Sequence, residues 1–169
     1  MAHMIQGVIG KPKALQKIIA SLNSIQLTIE ELPQNFKLLF LCKKAKEAIY
    51  EQMDSAAFND TVEPFDFLDL KIKKYLESTC SNDLLAYIET DYFGGTGTQS
   101  AGFFKEGELL NSYKGSTHDI DPAIPWPKRL LEEPINRVLR KIGVLRNPDL
   151  DEFKTLGLDE YRHMPYSKI

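Results

Sequence analysis

The sequence is short of the residues that carry common catalytic chemistry. Its 169 residues include two cysteines and three histidines. Cys42 and Cys80 stand far apart and match no metal-ligand spacing, so neither a zinc site nor a disulfide scaffold is expected. Both lie in or beside apolar segments, which is the pattern of buried free thiols. His118 falls in Thr117-His118-Asp119-Ile120-Asp121, a run with ligand residue types but no second His or Cys at ligand spacing. It reads as a polar loop with an Asp-Pro turn, and His163 reads as a surface residue. No serine stands in Gly-x-Ser-x-Gly, so a nucleophile elbow is missing too. No metal, cofactor or catalytic residue is assigned.

Charge of one sign is also scarce. Lys and Arg number 21 against 24 Asp and Glu, a net charge of −3 that lacks the basic excess of a general nucleic-acid binder. Long apolar runs are missing; a stretch such as Phe36 to Cys42 is too short to span a bilayer, so no membrane association is expected. The first residues show neither the basic nor the apolar region of a signal peptide, which with the free thiols points to a reducing, cytoplasmic setting. Met1-Ala2-His3-Met4 has the look of a cloning remnant, with Met4 the natural start and residues 5–169 one domain.

What is present is a mixture of strand-like and helical periods. Met4 to Ile9 suits a first strand. Pro12 suits a first helical turn, and Leu15, Ile18, Ile19 and Leu22 fall on one helix face. Ile25, Leu27 and Ile29 alternate like a half-buried strand, and Phe36 to Leu41 like one buried on both faces. Ala45, Ala48, Ile49, Met53 and Ala56 form a helical stripe, with Lys44, Lys46, Glu47 and Glu51 outside it. A second helix is expected near Asp66 to Cys80. Leu84 to Phe93, Thr98 to Lys105 and Glu108 to Tyr113 then read as three antiparallel strands, joined by glycine-rich breaks. Trp126, the only tryptophan, lies among Pro122, Pro125 and Pro127 and reads as a plug on the core edge. Pro134 starts a helix whose stripe is Ile135, Val138, Leu139 and Ile142, with Gly143 at its end; Asp149 or Asp151 caps a last short one. The expected fold class is α+β: a mainly antiparallel sheet with helices packed on one face.

One stretch collects candidate binding residues: Glu89, Asp91, Tyr92, Gly94, Gly95, Gly97 and Gln99. A phosphate cradle does not fit the glycines, because no Gly-Lys-Ser/Thr follows and the next residues are strand-like. A hairpin turn needing positive φ accounts for them better. Glu89 and Asp91 are two apart, so on a strand their side chains share a face roughly 7 Å apart, at a rise of about 3.3 Å per residue. Such a pair suits a cation or a basic group, with Arg137 and Lys105 as internal partners; a solvated sheet face is the plainer account.

The run Tyr87-Ile88-Glu89-Thr90-Asp91-Tyr92-Phe93-Gly94-Gly95-Thr96-Gly97-Thr98-Gln99 resembles one found in small, uncharacterised bacterial cytoplasmic proteins. The helix from Pro134 to Val144 looks like their next block, and Asp151 to Leu158 like their last. The likeness covers the C-terminal half well and the N-terminal half loosely. It carries no catalytic roles, and in size and charge balance it is similar to the immunity proteins of bacterial toxin systems. Together with the missing catalytic motifs, the resemblance implies a non-enzymatic interaction protein with a protein partner. The alternative is an enzyme, or a small-ligand or cation binder, that uses residues 89–99. Oligomeric state is left open.

Overall fold

The computed structural model describes residues 3–53, 60–80, 82–93, 96–116, Ala123, Pro125 and 132–165. Its centre is one sheet of six strands: β1 (His3–Gly10), β2 (Ile29–Leu32), β3 (Phe36–Phe40), β4 (Leu84–Phe93), β5 (Thr96–Lys105) and β6 (Glu108–Ser116). The spatial order is β2-β3-β1-β4-β5-β6, and every neighbouring pair is antiparallel. The helices are α1 (Pro12–Ser21), α2 (Lys43–Gln52), α3 (Leu70–Thr79), α4 (Pro134–Lys141) and a single turn, α5 (Glu152–Thr155). This is the α+β, antiparallel class expected from the residue periods.

The three strands read from residues 84–113 form consecutive antiparallel neighbours, β4-β5-β6. Their second turn is Glu106-Gly107, with φ of 54° and 82°, between the paired Lys105 and Glu108. Positive φ at both central residues gives the turn the twist of the strands it joins, and glycine adopts it without strain. The first connection, Gly94-Gly95, lies outside the described residues, as do Thr117 to Asp121, Trp126 and Ala56. Gly97 is held by steric fit: a Cβ there would lie 2.0 Å from the Asp91 carbonyl oxygen.

Two expectations need correction. The helices pack on both faces of the sheet, not on one. Along β4, Leu85 and Tyr87 face a core built with Leu15 and Ile18 of α1, Ile49 of α2 and Leu76 of α3. Ala86 and Ile88 face the other side, where Ile135, Val138 and Leu139 of α4 pack with Leu156 and Leu158. Period-2 alternation delivers apolar groups to both faces, so each needs a cover. The alternating run from Ile25 is strand only from Ile29 onward; Ile25 and Leu27 pack, half-buried, against the first core.

Helix boundaries follow capping chemistry. α3 starts at Leu70 rather than Asp66, because the Asp69 carboxylate accepts from Ile72 N at 2.9 Å and fixes the first turn. Asp151 caps α5 in the same way, accepting from Lys154 N at 2.8 Å. Pro12 and Pro134 occupy the first turns of α1 and α4.

Candidate functional site

The candidate residues of the 84–113 meander do not converge. Glu89 and Asp91 share the α1–α3 face of β4. Thr90 pairs with Gln99 and Tyr92 with Gly97, which places Gln99 and Tyr92 on the α4 face. There Gln99 has a structural part. Its Nε2 donates to Tyr92 Oη at 2.9 Å and Glu133 Oε2 at 2.7 Å, and its Oε1 accepts from Ile135 N at 3.2 Å. Gln99 thus caps the first turn of α4 from the sheet face it packs on, satisfying a backbone donor that the helix cannot. Burial, with the Glu133 charge nearby, pushes the Tyr92 phenol up to about 12.

On the opposite face the two acids differ. Asp91 is exposed, whereas Glu89 is 2% exposed. Its carboxylate accepts from Asp66 N at 2.6 Å, Phe67 N at 3.1 Å and Tyr87 Oη at 2.7 Å. Burial raises the Glu89 pKa while these three donors pull it back. Neither suggested internal partner reaches the pair: Arg137 lies over the Tyr113 ring, and Lys105 pairs with Glu106. Among the described residues no group of three or more His, Cys, Asp or Glu stands together as a metal-ion cage.

Glu89 instead lies behind a feature the residue periods did not announce, linked to it through Tyr87 and Gln6. β3 pairs with β1 only from Gly7 to Gly10. Beyond Phe40 the chain makes one more bond, Leu41 N to Gln6 O at 2.9 Å, then departs into α2. Residues 162–164 meet the freed edge of β1: Met4 N donates to Arg162 O at 3.0 Å, and Gln6 N points to Met164 Sδ at 3.1 Å. Where β3 leaves β1, a partly open cleft of about 750 Å³ remains. Its walls are Met4, Ile5, Leu41, Cys42, Phe67, Met164 and Pro165, with Gln6, Lys43, Lys46, Glu47, Tyr50 and His163 among them. Apolar walls with a few convergent polar groups, at this volume, are the ordinary make-up of a small-molecule site.

The polar groups beneath the cleft are tied together. Gln6 Nε2 donates to Tyr87 Oη at 2.6 Å and to Phe67 O at 3.1 Å, and the Tyr87 hydroxyl passes its own proton toward Glu89. Tyr50 Oη donates to Asp69 Oδ2. Burial lifts the Tyr50 phenol well above its ordinary value, and Asp69 adds to the rise. Lys46 is half-buried; burial lowers its pKa, while Asp69 and Glu89 hold the proton on. No carboxylate stands within salt-bridge distance of Lys46 among the described residues.

The sequence reading missed Gln6, Lys46, Tyr50, Phe67 and Asp69. The α2 stripe by itself leaves Lys46 on the solvent side. The usable signal was the row Cys42, Lys46, Tyr50 at i, i+4 and i+8, which puts a lysine and a tyrosine on one helix edge. His3, set aside as part of a cloning remnant, is a buried member of β1: its ring meets Thr90 Oγ1 at 2.9 Å and Leu158 O at 3.2 Å. No described helix is long and apolar enough to cross a membrane. Comparison with family models, with curated proteins and with solved structures returns no match for this chain.

Proposed function

We propose that this chain is a binding protein for a small, largely apolar molecule, held in the cleft between β1, α2 and the 162–165 segment. The observation that carries the reading is the cleft itself: about 750 Å³, apolar-walled, with Gln6, Lys46 and Tyr50 converging on it. The reading is non-enzymatic. Glu89 and Asp69 are engaged by protein donors and neither lines the cleft, so neither is placed to take a proton from a bound molecule. The experiment is titration with the neutral apolar dye Nile red. Saturable one-to-one binding is expected in the parent, and its loss in Met164→Trp, which fills the cleft from its half-buried tail wall. Far-UV circular dichroism establishes that the variant is folded. Dye binding that does not saturate, or that persists unchanged in folded Met164→Trp, would overturn the reading.

A second reading retains the protein partner of immunity type. Phe93, 78% exposed beside the exposed Asp91, is the observation in its favour, since an aromatic standing in solvent next to a charge is the make-up of an interface anchor. Its test is binding to the product of an adjacent toxin-like reading frame. Phe93→Asp abolishes that binding if the reading holds; binding unaffected by the substitution counts against it.

A further inference from the structure

Resting on the cleft reading above, we infer that the ligand carries an anionic acceptor group, such as a carboxylate, at the end of its apolar body, and that Lys46 is the residue that selects it.

A lysine ammonium has three donors and no acceptor. Lys46 is half-buried and lines the cleft, and no protein carboxylate lies within ion-pairing distance of it among the described residues. The two nearby acids are already engaged. Asp69 takes Ile72 N and the Tyr50 hydroxyl; Glu89 takes two backbone N–H groups and the Tyr87 hydroxyl. Their charges favour the protonated Lys46, and no ion pair among the described residues holds its ammonium away from the cleft it lines. A partly dehydrated ammonium gains most from an acceptor that is itself charged, because charge-assisted hydrogen bonds are the strong ones and apolar walls reduce screening. Asp69 and Glu89 attract a cation and oppose an anion, but neither lines the cleft; Lys46 does, so a ligand cation meets its ammonium first. Glu47 on the cleft wall pairs with Lys43 at 3.8 Å.

The selectivity is read with three probes sharing one chain: decanoate, decanol and decylammonium, each displacing Nile red from the full-length protein at neutral pH. The expected order is decanoate tightest, decanol weaker and decylammonium weakest. The gap between acid and alcohol should be about tenfold, the scale of one hydrogen bond to a charged group. Lys46→Met keeps the chain length of the side chain and removes the charge; it should erase the preference for decanoate while decanol changes little. Lys46→Arg, which restores the charge, should recover most of it. Equal displacement by acid and alcohol in the parent, a preference that survives Lys46→Met, or decylammonium as the tightest probe would overturn the inference while leaving saturable dye binding intact. Absence of saturable dye binding removes the cleft reading and this one together.

Discussion

Tyr87→Phe isolates the polar network behind the cleft. Tyr87 is fully buried, and its hydroxyl joins Gln6 at 2.6 Å to Glu89 at 2.7 Å. Phenylalanine keeps the ring and its edge-on packing against Phe65, so no cavity opens. What disappears is one neutral hydrogen bond and one to a buried carboxylate. At about 1 kcal/mol for the first and about 1.5–3 kcal/mol for the second, the expected destabilisation is about 2.5–4 kcal/mol. With a urea slope of about 2 kcal/mol/M, the midpoint should fall by about 1–2 M. A pH dependence comes with it. Burial already holds the folded-state pKa of Glu89 above 4.5, and the missing Tyr87 donor raises it further. A native state that binds a proton more tightly than the unfolded chain is fully favoured below the unfolded pKa and loses stability as pH rises through the folded one. The gap between variant and parent should therefore widen from pH 4.5 to pH 7. Urea melts at the two pH values provide the assay. An unchanged midpoint at pH 7, or a gap that narrows with rising pH, would refute the claim that this hydroxyl supports an ionised Glu89.

Other expectations follow from the same packing. Leu139→Ala removes a fully buried side chain from the α4 core and should cost about 2–5 kcal/mol; an unchanged denaturation midpoint would make α4 peripheral. Gly97→Ala would set a methyl 2.0 Å from the Asp91 carbonyl oxygen, so it should lower the melting temperature more than Gly115→Ala, whose added Cβ meets only the Pro134 ring at 3.1 Å; equal losses at the two positions would dismiss the steric account. Burial lowers the His3 pKa below 6.5, so its contribution is present above pH 6.5 and is lost as pH falls through the folded value. Thermal melts of His3→Gln between pH 7 and pH 5 should slope less than those of the parent, and parallel slopes would show that His3 is not the titrating group.

Local signals carried most of the secondary structure. The α1 and α4 stripes, the prolines at both helix starts, the Asp151 cap and the Glu106-Gly107 turn depend on residues within one or two turns of each other, which a linear chain displays directly. The class followed, because long strands joined by short glycine breaks can pair only antiparallel. Which face each helix covers is not a local property. An apolar stripe says that a helix is buried, not against which side, and β4 and β5 carry apolar residues on both.

The candidate site divides along the same line. That Glu89 and Asp91 share a face was legible from their spacing. That Gln99 lies on the other face was set by register: Phe93 pairs with Thr96 across a two-residue connection, whereas an odd-length connection would have brought Gln99 to the side of Glu89. Glu89 is buried because Asp66 and Phe67, more than twenty positions earlier in the chain, fold their backbone N–H groups over its carboxylate. The cleft exists because β3 leaves β1 at Leu41 and residues 162–164 return to cover only part of the exposed edge. Residue periods, charge and capping determined the elements and the class of this protein. The meeting of Lys46 and Tyr50 of α2 with Gln6 of β1 and Glu89 of β4 was decided by tertiary structure, since these three segments are far apart in the chain and only the paired and packed sheet brings them within reach.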